Sequence, residues 1–164
     1  MGSELADPTI RASRWLWRCL IHDLRRRGKG RRESGAFLLG RAGARKRVIT
    51  SYLCYDDVDR EAYQRGAIAF HAAGYAALWR HCREHSLDVL ADVHSHPGVG
   101  VGQSQIDRRN PMVPVVGHTA LIVPYYAQTP WRTLAGVGVY EYLGGLEWRD
   151  LTACRPRHVA LTWW

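Results

Sequence analysis

The chain has 164 residues, of which 46% are apolar and 23% charged, with a formal net charge of +8. That length is enough to bury a real core, and the composition is that of an ordinary globular fold rather than a disordered or collagen-like chain. No apolar run approaches the length needed to cross a bilayer, and Arg25-Arg26-Arg27 follow the early apolar stretch instead of preceding it, so neither a membrane span nor a secretion signal is expected.

Residues 1–164 are therefore expected to form one domain in the cytoplasm. Cys19, Cys54, Cys82 and Cys154 are far apart and include no Cys-x-x-Cys unit. They are expected as buried free thiols, not as a zinc ribbon or a redox pair.

Asp7-Pro8 has the form of a helix start, and Trp17, Leu20, Ile21 and Leu24 then recur at helical spacing. The pattern predicts a first helix over 8–27, ended by Gly28 and Gly30, with Arg11, Arg14, Arg18 and Arg25 on its open side. Nine basic residues fall between Arg11 and Arg32, and Arg41, Arg45, Lys46 and Arg47 form a second group. Such a field suits a solvated surface or an acidic protein partner; nucleic acid is the less favoured reading, because no recognisable nucleic-acid module accompanies it.

Ala36 to Leu39 predicts a short buried strand and Val48 to Cys54 a second, joined by a basic hairpin. Asp56, Asp57 and Asp59 then precede a predicted helix over 61–84, with Ala67, Phe70, Gly74, Ala77 and Leu78 on one face. The three aspartates lack the spacing of a calcium loop and are expected in a solvated loop and helix start. Leu87 to Val93 predicts a strand, Ser104 to Arg109 a short helix, and 119–124, 133–142, 146–151 and 159–164 later strands. The order implies a mixed α/β sheet with helices packed on it.

The most informative segment runs from His94 to Asp107. Side chains two apart on a strand point the same way, so His94 and His96 can approach one ion. Pro97 stiffens the exit, and Gly98, Gly100 and Gly102 let the chain turn back. That turn can bring Asp107 to the same ion. Two imidazoles and a carboxylate leave one tetrahedral position for water, as in catalytic zinc sites. The histidine pair alone is weak evidence, and Ser104-x-x-Asp107 also reads as a helix cap; the two readings are compatible. Glu33, just before the first buried strand, is the candidate general base, although its neighbours Arg31 and Arg32 also fit a plain surface charge. Asp92 shares a strand face with His94 and either orients a ligand imidazole or is a hydrogen-bonded surface aspartate. The seven tryptophans read mainly as packing; exposed ones would mark a protein-docking face or a dimer.

These residues resemble the JAB1/MPN family in its metalloprotease form, which carries the JAMM motif. The matching positions are Glu33, Gly35 to Gly40, His94, His96, Pro97, Ser104 and Asp107, and Ala120 to Pro124 resembles the family strand after the short helix. The resemblance implies a JAB1/MPN-like, cytidine deaminase-like fold, a mixed β-sheet flanked by helices. It implies one Zn²⁺ per chain held by His94, His96 and Asp107. Glu33 would take a proton from the attacking water and pass it to the departing amine, and Ser104 would hydrogen-bond the carbonyl oxygen. The implied substrate is the amide or isopeptide bond after the C-terminal glycine of a ubiquitin-like protein. Bacterial relatives process such proteins, release sulfur carriers, or remove conjugates within antiviral operons. The compact segment from Arg108 to His118 leaves little room for the insertions of some eukaryotic relatives, so a stand-alone bacterial member is expected. A non-catalytic MPN scaffold, a repair-linked DNA-associated protein, and a zinc hydrolase of a small amide or cysteine conjugate are the alternatives.

Overall fold

A computed structural model describes residues 10–43, 46–63 and 68–163. Its framework is an eight-stranded mixed sheet of order β7-β6-β5-β4-β2-β3-β1-β8. The strands are β1 (Ile10–Ser13), β2 (Gly35–Ala42), β3 (Arg47–Cys54), β4 (Asp88–Ser95), β5 (Thr119–Val123), β6 (Gly138–Gly144), β7 (Glu147–Asp150) and β8 (Val159–Thr162). The helices are α1 (Arg14–Gly28), α2 (Tyr55–Val58), α3 (Ala72–His85) and α4 (Gln105–Arg109). The pairs β2/β3, β2/β4, β5/β6 and β6/β7 are antiparallel, whereas β4/β5, β1/β3 and β1/β8 are parallel. No helix among the described residues is long and apolar enough to cross a membrane.

Strand alternation divides the core into two layers. Ala36 and Leu38 of β2, Ala91 and Val93 of β4, and Leu121 and Val123 of β5 pack against Trp17, Leu20, Ile21 and Leu24 of α1. Phe37 and Leu39 face the other way, onto Tyr55, Tyr63, Leu78 and Cys82. The helical spacing of the α1 apolar residues is thus used as expected, with Leu20 and Leu24 wholly buried. Cys54 and Cys82 are buried, and Cys19 and Cys154 are partly buried; all four are free thiols.

Two predicted helices need correction. The first begins at Arg14, not at residue 8, because Ile10–Ser13 is instead a strand between β3 and β8. Ser13 caps the helix, its hydroxyl accepting from the Leu16 amide at 3.1 Å. Asp7 and Pro8 lie outside the described residues. The second predicted helix, over 61–84, is only realised as α3 from Ala72. Asp59 accounts for the difference. Its carboxylate accepts from the Glu61 amide at 3.0 Å and from the His71 amide at 2.7 Å, drawing the two ends of the intervening chain together. Phe70 then packs edge-on to Phe37, 5.1 Å between centroids. Gly74 and Leu78 do face the core, while Ala67 lies outside the described residues. The aspartate trio is not simply solvated: Asp56 and Asp57 pair with Arg27, and Asp59 is buried.

Candidate metal centre

Three local features build the site on the α3 side of the sheet. Strand β4 delivers His94, and its amide ladder continues one step beyond, with the Ser95 amide donating to the Ser34 carbonyl at 2.9 Å. Register then brings in Glu33. Gly35 is opposite His94 in the antiparallel β2/β4 pair, so the chain leaving β2 carries Glu33 toward the end of β4, within electrostatic reach of His94, His96 and Asp107. Gly35 has no freedom to be another residue: a Cβ there would stand 2.2 Å from Tyr55 Cε2 and 2.7 Å from the Val93 carbonyl oxygen.

The glycine-rich turn returns the chain to α4. Ser104 is the N-cap, its hydroxyl accepting from the Asp107 amide at 3.1 Å while its own amide donates to Asp107 Oδ2 at 2.7 Å. This reciprocal cap holds the Asp107 carboxylate against the histidines. Asp107 Oδ1 is 3.4 Å from His94 Nε2, and Asp107 Oδ2 is 3.3 Å from His96 Nε2. The two Nε2 atoms are 3.1 Å apart.

Those separations match a metal's ligand shell. Ligands about 2.0–2.1 Å from a tetrahedral zinc stand about 3.3–3.4 Å from each other. His96 Nδ1 lies 3.1 Å from the Gly100 carbonyl oxygen, which can only accept, so the Nδ1 proton donates there and the Nε2 lone pair is left for a cation. Among the described residues, the two imidazoles of His94 and His96 and the Asp107 carboxylate are the group placed to share an ion. The donor set therefore fits zinc.

Charge at the site follows the same geometry. Burial pushes the Glu33 carboxyl above its ordinary range, the Asp107 charge adds to the rise, and His94 and His96 oppose it. Burial would also raise Asp107, but the bonds from His94 and His96, the His94 charge and the bond to Ser104 outweigh it and hold that carboxyl well below the usual range. His96 is raised overall: burial lowers it, but the Asp107 bond and charge prevail. The structure thus brings Glu33, His94, His96, Ser104 and Asp107 together.

Asp92 does not orient a ligand imidazole, nor is it a surface residue. It is 2% exposed and is held by His118 Nε2 at 2.6 Å and by the Tyr55 hydroxyl at 3.2 Å. Sequence reasoning missed His118 and Tyr55 because both approach Asp92 from distant strand ends. A cavity of about 460 Å³ opens beside His94 and Asp107, walled by Tyr55, Phe70, Tyr75, Met112 and Trp148. A larger one, about 880 Å³, lies between α3 and the β4–β6 end and contains none of the candidate ligands.

A family model described as prokaryotic homologs of the JAB domain matches residues 17–135. A solution structure of a Desulfitobacterium hafniense protein is similar over 93% of this chain and 92% of its own, at 15% identity and a TM-score of 0.65. One from Salinibacter ruber is similar over 85% and 87%, at 21% identity and a TM-score of 0.55. A JAB1/MPN domain protein from Archaeoglobus fulgidus is 18% identical over 92% and 96%, with a TM-score of 0.49. With the family match spanning 17–135, which includes the four central strands β2 to β5 and the elements that carry both histidines and the aspartate, the chain belongs to the prokaryotic JAB domain family.

Proposed function

We propose that this chain is a zinc-dependent isopeptidase or peptidase that cuts after the C-terminal glycine of a ubiquitin-like protein, with 1–164 acting as one catalytic unit in the cytoplasm. The observation that carries the reading is the convergence of His94 Nε2, His96 Nε2 and Asp107 at 3.1–3.4 Å from each other. His94, His96 and Asp107 would hold one Zn²⁺, which when bound supplies a Lewis acid that polarises a carbonyl and acidifies water.

The remaining steps belong to the chain's own residues. Glu33, raised by burial, takes a proton from the attacking water and delivers it to the departing amine. Ser104 already accepts the Asp107 amide through its oxygen, so its hydroxyl proton is available to a carbonyl oxygen gaining negative charge. Asp92 and Tyr55 line the adjoining cavity, and Asp92 is held there by the Tyr55 hydroxyl and by His118 Nε2. The cavity beside His94 is where this reading would seat the tail of a ubiquitin-like protein, and removal of conjugates, as in bacterial antiviral operons, is the setting the family resemblance implies.

The test is cleavage of a ubiquitin-like protein ending in glycine and joined through an isopeptide bond to a reporter. The account predicts a cut at that bond, abolished by a zinc chelator and by Glu33→Ala with the fold retained. Release of the reporter at an unchanged rate by purified Glu33→Ala would reject the mechanism.

A further inference from the structure

The outer face of α1 is a basic track that the proposed chemistry does not use. Arg18, His22, Arg25 and Lys29 recur along one exposed face and span about 16 Å at 1.5 Å per residue. The opposite face, Trp17, Leu20, Ile21 and Leu24, is buried. Asp23 is the one acid of the helix, and it is engaged at the flank by Tyr52 and Arg26. Among the described residues, Arg18, Arg25 and Lys29 have no carboxylate partner.

At its start the track is bordered by aromatic rings. Arg18 lies 5.7 Å from the Trp15 ring centroid and 5.0 Å from that of Trp131. Trp15 is 70% exposed. At its other end is a cleft of about 300 Å³ lined by His22, Arg25, Arg26, Lys29, Gly30 and Gln128. A short backbone path links that cleft to the metal centre. Gln128 is two residues from Tyr126, whose amide donates to the His96 carbonyl at 2.7 Å. Glu33 follows Gly30 by three residues.

Resting on the peptidase reading, we propose that this face docks an acidic segment of the protein substrate, whose carboxylates enter the His22–Arg25–Lys29 cleft. The unpaired guanidinium and ammonium groups supply the complementary charge. The cleft's size suits one or two carboxylate side chains, and its amide-bearing Gln128 adds a donor. A single-stranded nucleic acid would be better served by rings along the whole path. Among the described residues they stand only at the Trp15 end, and no Trp, Tyr or Phe among them lines the cleft.

The test is fluorescence anisotropy with a labelled twelve-residue glutamate-rich peptide and, separately, a twelve-nucleotide oligothymidylate, at about 0.15 M salt. Arg25→Glu with Lys29→Glu should weaken peptide binding about tenfold or more. The same charge change placed on α3, Arg80→Glu with Arg83→Glu, should weaken it less than about threefold. Equal losses in the two variants would reduce the effect to general attraction and overturn the proposal. Tighter binding of the oligothymidylate would replace it with a polynucleotide surface, and no peptide binding by the wild type would remove it. None of these readouts requires cleavage or zinc, so failure here is separable from failure of the peptidase reading.

Discussion

Gly35→Ala tests whether the β2/β4 register that places Glu33 is as tightly packed as the structure requires. The added methyl would stand 2.2 Å and 2.8 Å from two Tyr55 ring carbons and 2.7 Å from the Val93 carbonyl oxygen. Tyr55 is wholly buried, its ring centroid 4.8 Å from that of Phe37 and 5.7 Å from that of Phe70, with its hydroxyl donating to Asp92. It has no free direction in which to yield, and the Val93 carbonyl belongs to the sheet. Overpacking of this kind costs about 1–3 kcal/mol. For a chain of this size that lowers Tm by roughly 2–12 °C. Gly98→Ala is the control: nothing lies within 4 Å of its Cβ position, and φ there is not in the left-handed region. A surface change of that kind stays within about 0.5 kcal/mol. The assay is thermal unfolding of both variants followed by circular dichroism, in the presence of chelator so that metal binding does not mask the difference. A Gly35→Ala melting point equal to wild type, or a Gly98→Ala loss as large as that of Gly35→Ala, would refute the packing argument.

Other predictions concern the site itself. Ser104→Ala removes the cap on the Asp107 amide and should cost about 1 kcal/mol in unfolding free energy. Its turnover should fall by about 10²–10³ through loss of the oxyanion donor, so a stability loss with unchanged kcat would leave Ser104 as a cap alone. Glu33 must be ionised to accept a proton. Because burial raises its pKa above the usual 4.5, activity should be full on the alkaline side and decline as pH falls through that raised value. The limb should vanish from the residual activity of Glu33→Gln; its persistence there would assign it to another group.

What the sequence made legible was what local chain geometry controls. His94 lies in β4 and His96 one residue past its end, two apart in sequence, and Ser104 and Asp107 form a one-turn cap, so both pairs were readable from spacing alone. The apolar run of β2 and the periodicity of α1 were equally local. Glu33 was not, because its approach to His96 depends on pairing between strands more than 50 residues apart, and only the family resemblance raised it above a surface charge. Strand β1 was lost because four residues between two longer elements carry too little pattern, and its pairing with β3 and β8 is long-range. The overlong second helix failed where Asp59 captured backbone amides on both sides of the loop, a tertiary choice that overrode helical propensity. Asp92 shared the expected face with His94, but its partner His118 arrives from the start of β5 and nothing nearby in sequence announced it.

The most direct measurement is zinc titration of metal-free protein by calorimetry, paired with hydrolysis of the isopeptide reporter by the same samples. The account predicts one zinc per chain for wild type and for Glu33→Gln, with hydrolysis by Glu33→Gln reduced about 10²–10⁴-fold. It predicts that His94→Ala and Asp107→Ala each lose at least about tenfold in zinc affinity. Wild-type zinc affinity in Asp107→Ala, or wild-type turnover by zinc-saturated Glu33→Gln, would contradict it.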